Sequence, residues 1–145
     1  NHYLMRGSLL VHDNLGLSKP ELLSKLFDFV YVIDGGDSIK IGTSKDPVKR
    51  LADFQSSNKF KLVSFFLCRK EDKVEVCCLR KFKQHKKNGE FFNTSCIGDV
   101  LQYLQSLSLI EIKGQDIRKC KQLIGPNPFK DTSLLYEFMP KNRRS

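Results

Sequence analysis

The chain has 145 residues, of which 40% are hydrophobic and 11 are Phe, so it can bury one modest core but not two independent ones. Its 25 Lys and Arg against 16 Asp and Glu give a net charge of +9, which favours a polyanionic partner such as nucleic acid. Five cysteines without a metal-binding spacing, and no apolar stretch near the roughly 18 residues that span a bilayer, predict a soluble intracellular protein of the cytoplasm or nucleus with no membrane partner.

Residues 1–28 are predicted to form an N-terminal lead-in with one short helix. Ser18 and Glu21 have the S-x-x-E spacing of a capping box, in which two side chains satisfy free backbone N–H groups at a helix start. Leu23 and Leu26 follow at a helical interval. The helix is therefore expected to begin after Ser18 and to pack onto the main domain.

A β-hairpin is predicted next. Residues 29–33 form an unbroken β-favouring run, residues 34–37 (Asp-Gly-Gly-Asp) are a strong turn, and residues 39–43 alternate between apolar and small or polar side chains. Asp46 is then expected to cap the N-terminus of a helix that has Pro47 in its first turn. The apolar stripe of that helix consists of Val48, Leu51 and Phe54.

The middle of the chain predicts a third strand and a second helix. Residues 60–68 contain too many aromatic and β-branched side chains for a surface helix, so they are expected to form the central strand. Residues 72–86 are expected to be helical, because apolar side chains recur there at intervals of four, four and three. The residues at those intervals are Val74, Cys78, Phe82 and His85.

Glu75 interrupts the apolar face of this second helix, since a helical wheel places it between Leu79 and Phe82. A carboxylate among apolar side chains is costly unless it is paired or binds a metal. The spacing alone leaves two plainer explanations open. Glu75 forms a salt bridge with a Lys or Arg, or it lies at the margin of the face and reaches solvent.

The remaining segments predict a turn, a helix and an edge strand. Asn88-Gly89 is a turn signal, and Glu90-Phe91-Phe92 then brings a second carboxylate beside two aromatic residues, a pattern also typical of a plain turn that leads into a buried strand. Residues 97–109 have the apolar spacing of a helix, and residues 110–112 are expected to add an edge strand. Residues 114–145 are polar and contain Pro, which predicts a C-terminal extension.

Five short motifs, in this order along the chain, resemble those of the GIY-YIG nuclease superfamily. They are Val-Tyr-Val-Ile with Tyr31, Ile-Lys-Ile-Gly-Thr-Ser with Ile41 and Gly42, Pro-Val-Lys-Arg-Leu with Arg50, Val-Glu-Val-Cys-Cys-Leu with Glu75, and Gly89-Glu90-Phe91-Phe92. The lysine in the second motif and the Gly-Glu-aromatic-Phe ending are most similar to a small branch found in phages, large DNA viruses and scattered cellular proteins. The resemblance covers about residues 29–95.

The resemblance implies an α+β fold and a divalent-metal-dependent DNA endonuclease. The nuclease domain would span residues 29–113, with a three-stranded, mainly antiparallel sheet flanked by helices. Glu75 would bind Mg²⁺ or Mn²⁺, because hard cations prefer carboxylate oxygens and keep several waters. Arg50 would bind the scissile phosphate through two donors. Tyr31 would order or deprotonate the attacking water.

Plainer roles remain open for these residues on the sequence alone. Arg50 could form a surface ion pair with Asp46 or Asp53, which lie nearby along the chain. A tyrosine in a β-favouring run, such as Tyr31, is often a packing residue. The matching alternative for the whole protein is a catalytically inactive nuclease-like fold that acts as a DNA-binding or protein-interaction module.

Two positions depart from the superfamily pattern. Lys40 stands where the second motif usually has a tyrosine, and a lysine can pair with a phosphate but cannot reproduce the hydrogen-bonding geometry of a phenol. Phe54 stands where some members have a histidine. Tyr31 and His85 are therefore the remaining candidate bases, and a partly buried histidine without a catalytic role is the alternative for His85.

Basic residues are expected to flank the site and to follow a DNA backbone without reading bases. The predicted partner is duplex or branched DNA, cut in a structure-selective or weakly sequence-specific way. A homodimer or an additional domain would supply further specificity. For residues 80–87 a solvated helix face is the plainer alternative. The DNA-binding candidates are Lys45, Lys49, Lys59, Lys61, Arg80, Lys83 and Lys87.

Overall fold

Six antiparallel strands form one open sheet with helices packed against it. The computed structural model of the chain describes residues 19–46, 49–50 and 60–116. The helices are α1 (Lys19–Leu26), α2 (Val74–Lys81) and α3 (Ile97–Ser106). The strands are β1 (Phe27–Asp34), β2 (Ser38–Ser44), β3 (Lys61–Arg69), β4 (Lys86–Asn88), β5 (Phe91–Asn93) and β6 (Ile110–Lys113), and they lie in the order β4-β5-β2-β1-β3-β6. This confirms the predicted α+β class, and three short strands, among them the predicted edge strand β6, extend the predicted three-stranded sheet.

Strands β1 and β2 form the predicted hairpin. The N–H of Gly35 donates to the carbonyl oxygen of Ser38 at 2.8 Å, and the N–H of Gly36 donates to Asp34 Oδ1 at 2.8 Å. Gly36 has a φ of 95°, a backbone conformation that is strained for any residue with a side chain. The two glycines between the aspartates therefore close the tight turn that the sequence predicts.

The prediction that residues 60–68 form the central strand is wrong in one respect. They form β3, but β1 is the strand that lies between β2 and β3. β3 is still an interior strand, because β6 pairs with its other edge along residues 64–67. Both β1 and β3 are buried along most of their length, so hydrophobicity alone did not distinguish their places in the sheet.

The helix predicted over residues 72–86 is shorter than expected. α2 ends at Lys81, and Phe82 after it has a φ of −107°. A single 3₁₀ turn, Lys83–His85, follows, and the chain then enters β4, where Lys86 lies opposite Phe92 of β5. Strand pairing therefore replaces the last turn of the predicted helix.

The helix predicted over residues 97–109 also ends early, at Ser106. The N–H of Leu107 donates to the carbonyl oxygen of Leu104, and Ser108 has a φ of 55°, so the backbone leaves the helical conformation there. The chain then enters β6, which is the predicted edge strand.

The sheet has two differently covered faces. Helices α2 and α3 share a core with one face of the sheet, a cluster that includes Val30, Val32, Ile39, Ile41, Val74, Cys78 and Leu104. Because side chains alternate along a strand, Tyr31 lies on the opposite face. On that face the rings of Phe29 and Phe65 make an edge-to-face contact with centroids 5.2 Å apart. The site residues are therefore distributed between two faces.

Helix α1 is the short helix expected after Ser18. Most of the predicted 1–28 lead-in and 114–145 extension lies outside the described residues, so those boundaries stay predictions. Cys68, Cys78 and Cys96 are buried free cysteines, as expected for small apolar residues. Among the helices that the structure describes, none is long and apolar enough to cross a membrane.

Candidate active site at the open edge of strand β2

Several of the predicted site residues lie near the open edge of β2. β5 pairs with β2 only along residues 38–40. In the described part of the chain, residues 41–44 thus have β1 on one side and no strand on the other. Side chains from both faces of the sheet can reach this edge.

Tyr31 lies over Gly42, its register partner on β2. A Cβ atom built on Gly42 would overlap the Tyr31 ring and hydroxyl, so the glycine makes the space that the phenol occupies. The ring therefore points from β1 across β2 towards the open edge. Tyr31 is only 2% exposed, and within the described residues its hydroxyl has no hydrogen-bond partner.

Burial raises the pKa of Tyr31 to about 12. The positive charge of Arg50 acts in the opposite direction, and the carboxylates of Glu75 and Glu90 raise the pKa further. The phenol is therefore neutral at physiological pH and can donate a hydrogen bond. The same interactions place a guanidinium and two carboxylates within electrostatic range of the tyrosine.

Lys40 is a buried lysine tied to an exposed glutamate. It lies opposite Phe91 of β5, and its ammonium lies 5.9 Å from the centroid of that ring. Lys40 Nζ donates to Glu90 Oε2 at 2.6 Å. The side chain of Lys40 is 7% exposed, whereas that of Glu90 is 74% exposed. The hydrogen bond from Lys40 and its positive charge hold the pKa of Glu90 below its usual range.

Glu75 approaches the same edge from the other face of the sheet. It lies at the start of α2, beside the core residue Val74, and is partly buried. Within the described residues its carboxylate has neither a hydrogen bond nor an ion pair. Burial raises the pKa of Glu75; the positive charge of Lys40 opposes this shift, and Asp28 and Glu90 add to it. The salt-bridge explanation for Glu75 therefore does not apply in the described part of the chain.

A cavity of about 380 Å³ lies between Lys40, Glu75 and Glu90, and we call it the edge cavity. Tyr31 and Arg50 are not among the residues that line it. It is bordered by Lys40 from one face of the sheet and by Ile41 and Glu75 from the other. Its lining also includes Lys83, Lys86, Gly89 and Glu90. The edge cavity thus combines two carboxylates with three ammonium groups.

Arg50 lies at the start of the helix predicted after β2. Asp46 Oδ1 accepts a hydrogen bond from the N–H of Lys49 at 3.0 Å, and the N–H of Arg50 donates to the carbonyl oxygen of Asp46 at 3.1 Å. The predicted cap is confirmed. The Arg50 side chain is exposed and forms no ion pair with Asp46. Pro47, Val48, Leu51, Asp53 and Phe54 lie outside the described residues.

His85 is not in the edge cavity. It lines a separate open groove of about 470 Å³ between the end of α2 and α3, together with Phe82, Asp99 and Tyr103. The Phe82 and His85 rings are 6.4 Å apart, and the Phe82 and Tyr103 rings 6.0 Å. The structure therefore does not bring His85 and Glu75 together in one cavity, and the shorter α2 is the reason.

The predicted DNA-binding residues are not all at the edge cavity. Lys83 lines it directly, whereas Lys61 lies on β3, separated from β2 by β1. Lys87 Nζ lies 3.6 Å from Asp37 Oδ2 in an exposed ion pair. The other described candidates, Lys45, Lys49 and Arg80, are exposed. Lys59 lies outside the described residues.

A protein cage for a metal is not present in the described residues, where no three His, Cys, Asp or Glu side chains are grouped to hold one. The donor set of the edge cavity is different. Glu75 offers a carboxylate that no described residue pairs with, in an open cavity, and this fits a hard cation that keeps most of its waters.

A family model described as the T5orf172 domain matches residues 28–110, more than half of the chain. The chain belongs to the T5orf172 domain family. The T5orf172 domain is an endonuclease-type domain associated with phages, which agrees at this coarser level with the predicted nuclease resemblance. The matched span contains Tyr31, Lys40, Arg50, Glu75 and Glu90. No curated protein and no solved structure matches the chain.

Glu90 is a residue of this T5orf172 domain whose role its sequence context does not indicate. The only available signal was Lys40, a cation between two apolar residues of a strand, since a buried lysine requires an anionic partner. The sequence could not show which of its 16 acidic residues this partner is, because the two side chains are separated by 50 residues along the chain.

Proposed function

We propose that this T5orf172 domain is a divalent-metal-dependent DNA endonuclease, with Tyr31, Arg50 and Glu75 at its active site and Lys40 assisting. One observation carries the proposal. The Tyr31 phenol and the Glu75 carboxylate come from opposite faces of the sheet, yet the charges of Glu75 and Arg50 both act on the Tyr31 hydroxyl, beside the open edge of β2. Phosphodiester hydrolysis needs an activated water and stabilisation of the developing negative charge, and these three groups can supply both.

The roles of the side chains follow from their charge and exposure. The exposed Arg50 binds two non-bridging oxygens of the scissile phosphate with its fork of donors. Tyr31, whose pKa is about 12, acts as a neutral phenol that orients the attacking water rather than as a strong base. Lys40 supplies a positive charge beside the phosphate, where negative charge develops in the transition state.

Glu75 is the proposed ligand of Mg²⁺ or Mn²⁺. Its carboxylate is partly buried and has no ion pair with the residues that the structure describes, and together with the open cavity beside it this fits a cation with one protein ligand and several waters. When bound, such an ion supplies Lewis-acid stabilisation of the phosphate and lowers the pKa of a bound water.

DNA is the proposed substrate because the approach to the edge cavity is basic. Lys83 and Lys86 line the cavity, and Lys45 and Lys49 are exposed on the side of Arg50. Cations of this kind bind phosphates without reading bases. We propose that duplex or branched DNA is held by its backbone, and that an additional domain or a second copy supplies any sequence specificity.

The competing candidate is a DNA-binding module that does not cut. The observation in its favour is Lys40, which replaces the second tyrosine and is already engaged by Glu90. Cleavage by the wild-type protein separates the two candidates, because a non-cutting module binds DNA without releasing nicked product.

The test is cleavage of supercoiled plasmid and branched DNA with Mn²⁺, comparing wild type with Glu75→Ala. We expect loss of cutting in the variant with DNA binding retained, because the substitution removes the metal ligand but no phosphate-binding cation. Asp99→Asn is the matched control, since it removes an exposed carboxylate outside the edge cavity. Cutting by Glu75→Ala at the wild-type rate would remove Glu75 from the mechanism.

A further inference from the structure

The two side chains of the Lys40–Glu90 ion pair differ in their exposure to solvent, and this difference bears on Glu75. Lys40 is 7% exposed and cannot turn freely to solvent, whereas Glu90 is 74% exposed and meets it from the outside. A buried ammonium needs an anionic partner, because an unpaired one carries a large desolvation cost. Glu90 is the carboxylate that the structure shows in direct contact with it, at 2.6 Å.

Strand pairing fixes Glu90 at this place. Phe91 is the register partner of Lys40, and this is the last residue pair before the edge of β2 opens. Glu90 immediately precedes Phe91 in a turn where Gly89 has a φ of 50°. The glutamate is therefore at the boundary between the paired and open parts of β2, which is also the mouth of the edge cavity.

A second carboxylate competes for the same ammonium. Glu75 lines the edge cavity together with Lys40, and the charge of Lys40 is the strongest influence that lowers the pKa of Glu75. Glu75 has no hydrogen bond or ion pair among the described residues. Glu75 and Glu90 are the two carboxylates that line the edge cavity with Lys40, so without Glu90 the cavity would still offer the ammonium a carboxylate.

We infer that Glu90 is a positioning residue that holds the Lys40 ammonium at the mouth of the edge cavity and so prevents it from closing a salt bridge onto Glu75. The inference rests on the proposed function, in which the Glu75 carboxylate must be free to bind a divalent cation. Glu90 itself neither touches the cation nor takes part in bond cleavage. A phosphate oxygen of the substrate can take its place beside Lys40, because Glu90 is on the solvent side.

The first test follows the ammonium group in the metal-free protein. NMR of ¹⁵N-labelled lysine side chains reports whether the Lys40 ammonium is next to Glu90 or Glu75. We expect contact with Glu90 in wild type, transfer to Glu75 in Glu90→Gln, and retention at position 90 in Glu90→Asp. Asp37→Asn is the matched control, because it removes the same charge from another lysine–carboxylate pair, with Lys87.

The second test measures Mn²⁺ affinity and cutting. Glu90→Gln is expected to bind Mn²⁺ about tenfold more weakly and to lose kcat with KM unchanged or lower, since supporting residues of metal sites typically contribute effects of this size. Combining Glu90→Gln with Lys40→Met removes the competing ammonium. This double variant is expected to recover Mn²⁺ affinity, which a loss of folding could not produce.

The outcomes separate this inference from the proposed function. A Lys40 ammonium that stays away from Glu75 in Glu90→Gln, or Mn²⁺ affinity equal to that of wild type, overturns the inference while wild-type cutting stands. A wild-type protein that cuts no DNA overturns the proposed function. In that case the NMR position of the Lys40 ammonium still decides whether Glu90 holds this ammonium in place. Failure of Lys40→Met to restore Mn²⁺ affinity also overturns the inference.

Discussion

The phenol ring of Tyr31 lies directly over Gly42, its partner across the β1–β2 hairpin, in space that any other residue at position 42 would fill. This contact aims the tyrosine at the open edge of β2. Gly42 is thus part of the site although it has no side chain. Its role can be tested separately from chemistry.

Gly42→Ala is expected to lower the free energy of unfolding by about 1–3 kcal/mol, the usual cost of overpacking, and to reduce cutting by displacing Tyr31. Gly98→Ala is the matched control, because nothing lies within 4 Å of a Cβ at that helical position. It is expected to stabilise the protein by up to about 1 kcal/mol and to leave cutting unchanged. Urea denaturation measures the stability of the two variants, and plasmid nicking measures their cutting. Equal stability of the two variants would contradict the contact.

Glu75→Gln is expected to be more stable than wild type at neutral pH in metal-free buffer. Burial raises the pKa of Glu75 above its ordinary value of 4.5, so as pH rises through that value the unfolded chain releases its proton before the folded one does. The free energy of unfolding of the wild type therefore falls as pH rises from about 4.5 to the raised pKa. Below pH 4.5 the carboxyl is protonated in both states, and the advantage of the variant disappears.

Glu90→Gln is expected to show the opposite pH dependence. The hydrogen bond from Lys40 lowers the pKa of Glu90, so its stabilising contribution is present above the ordinary value of 4.5 and is lost as pH falls through the lowered pKa. The variant is therefore less stable than wild type at neutral pH and equal to it in acid. Denaturation curves at several pH values give the free energy of unfolding of both glutamate variants. If both variants were more stable than wild type at neutral pH, or both less stable, the environments assigned to the two glutamates would be contradicted.

Arg50→Lys is expected to bind DNA nearly as well as wild type but to cut about 100-fold more slowly, because an ammonium cannot reproduce the paired donors of a guanidinium in the transition state. Lys49→Ala provides the contrast. Loss of the Lys49 ammonium should weaken DNA binding and reduce the salt dependence of the binding constant by about one phosphate contact. The kcat at saturating DNA should stay unchanged. A normal kcat for Arg50→Lys would place Arg50 outside the site.

His85→Ala is expected to retain the wild-type rate of cutting and its pH profile, since His85 lies in the groove beside Phe82 and Tyr103 and not in the edge cavity. Tyr31→Phe, by comparison, should slow cutting without changing the shape of the pH profile, because a phenol with a pKa of about 12 acts here as a neutral donor. A large loss of cutting in His85→Ala would return the histidine to the list of candidate bases.

Local patterns predicted the hairpin, the Asp46 cap and the edge strand, because turn residues, capping side chains and alternation act over a few positions. They also predicted that Glu75 interrupts the apolar face of a helix; in the structure α2 contains Glu75 and Leu79, but it ends before Phe82. The α+β class followed from these elements.

Long-range pairing could not be predicted in the same way. β4 has the sequence Lys-Lys-Asn and is fully exposed, so it forms through pairing with β5 and not through its own composition. This pairing ends α2 at Lys81 and moves His85 out of the predicted site. The partnership of Lys40 and Glu90 likewise depends on the register of β5 against β2.

The most direct measurement of the central claim is a Mn²⁺ titration of the ¹⁵N-labelled protein, because this ion broadens the NMR signals of nearby nuclei. We predict that the amide signals of Gly42, Glu75 and Glu90 broaden first, that Tyr103 keeps its signal, and that Glu75→Gln abolishes the selectivity. Broadening centred elsewhere, or unchanged by Glu75→Gln, would contradict a single cation site at the open edge of β2.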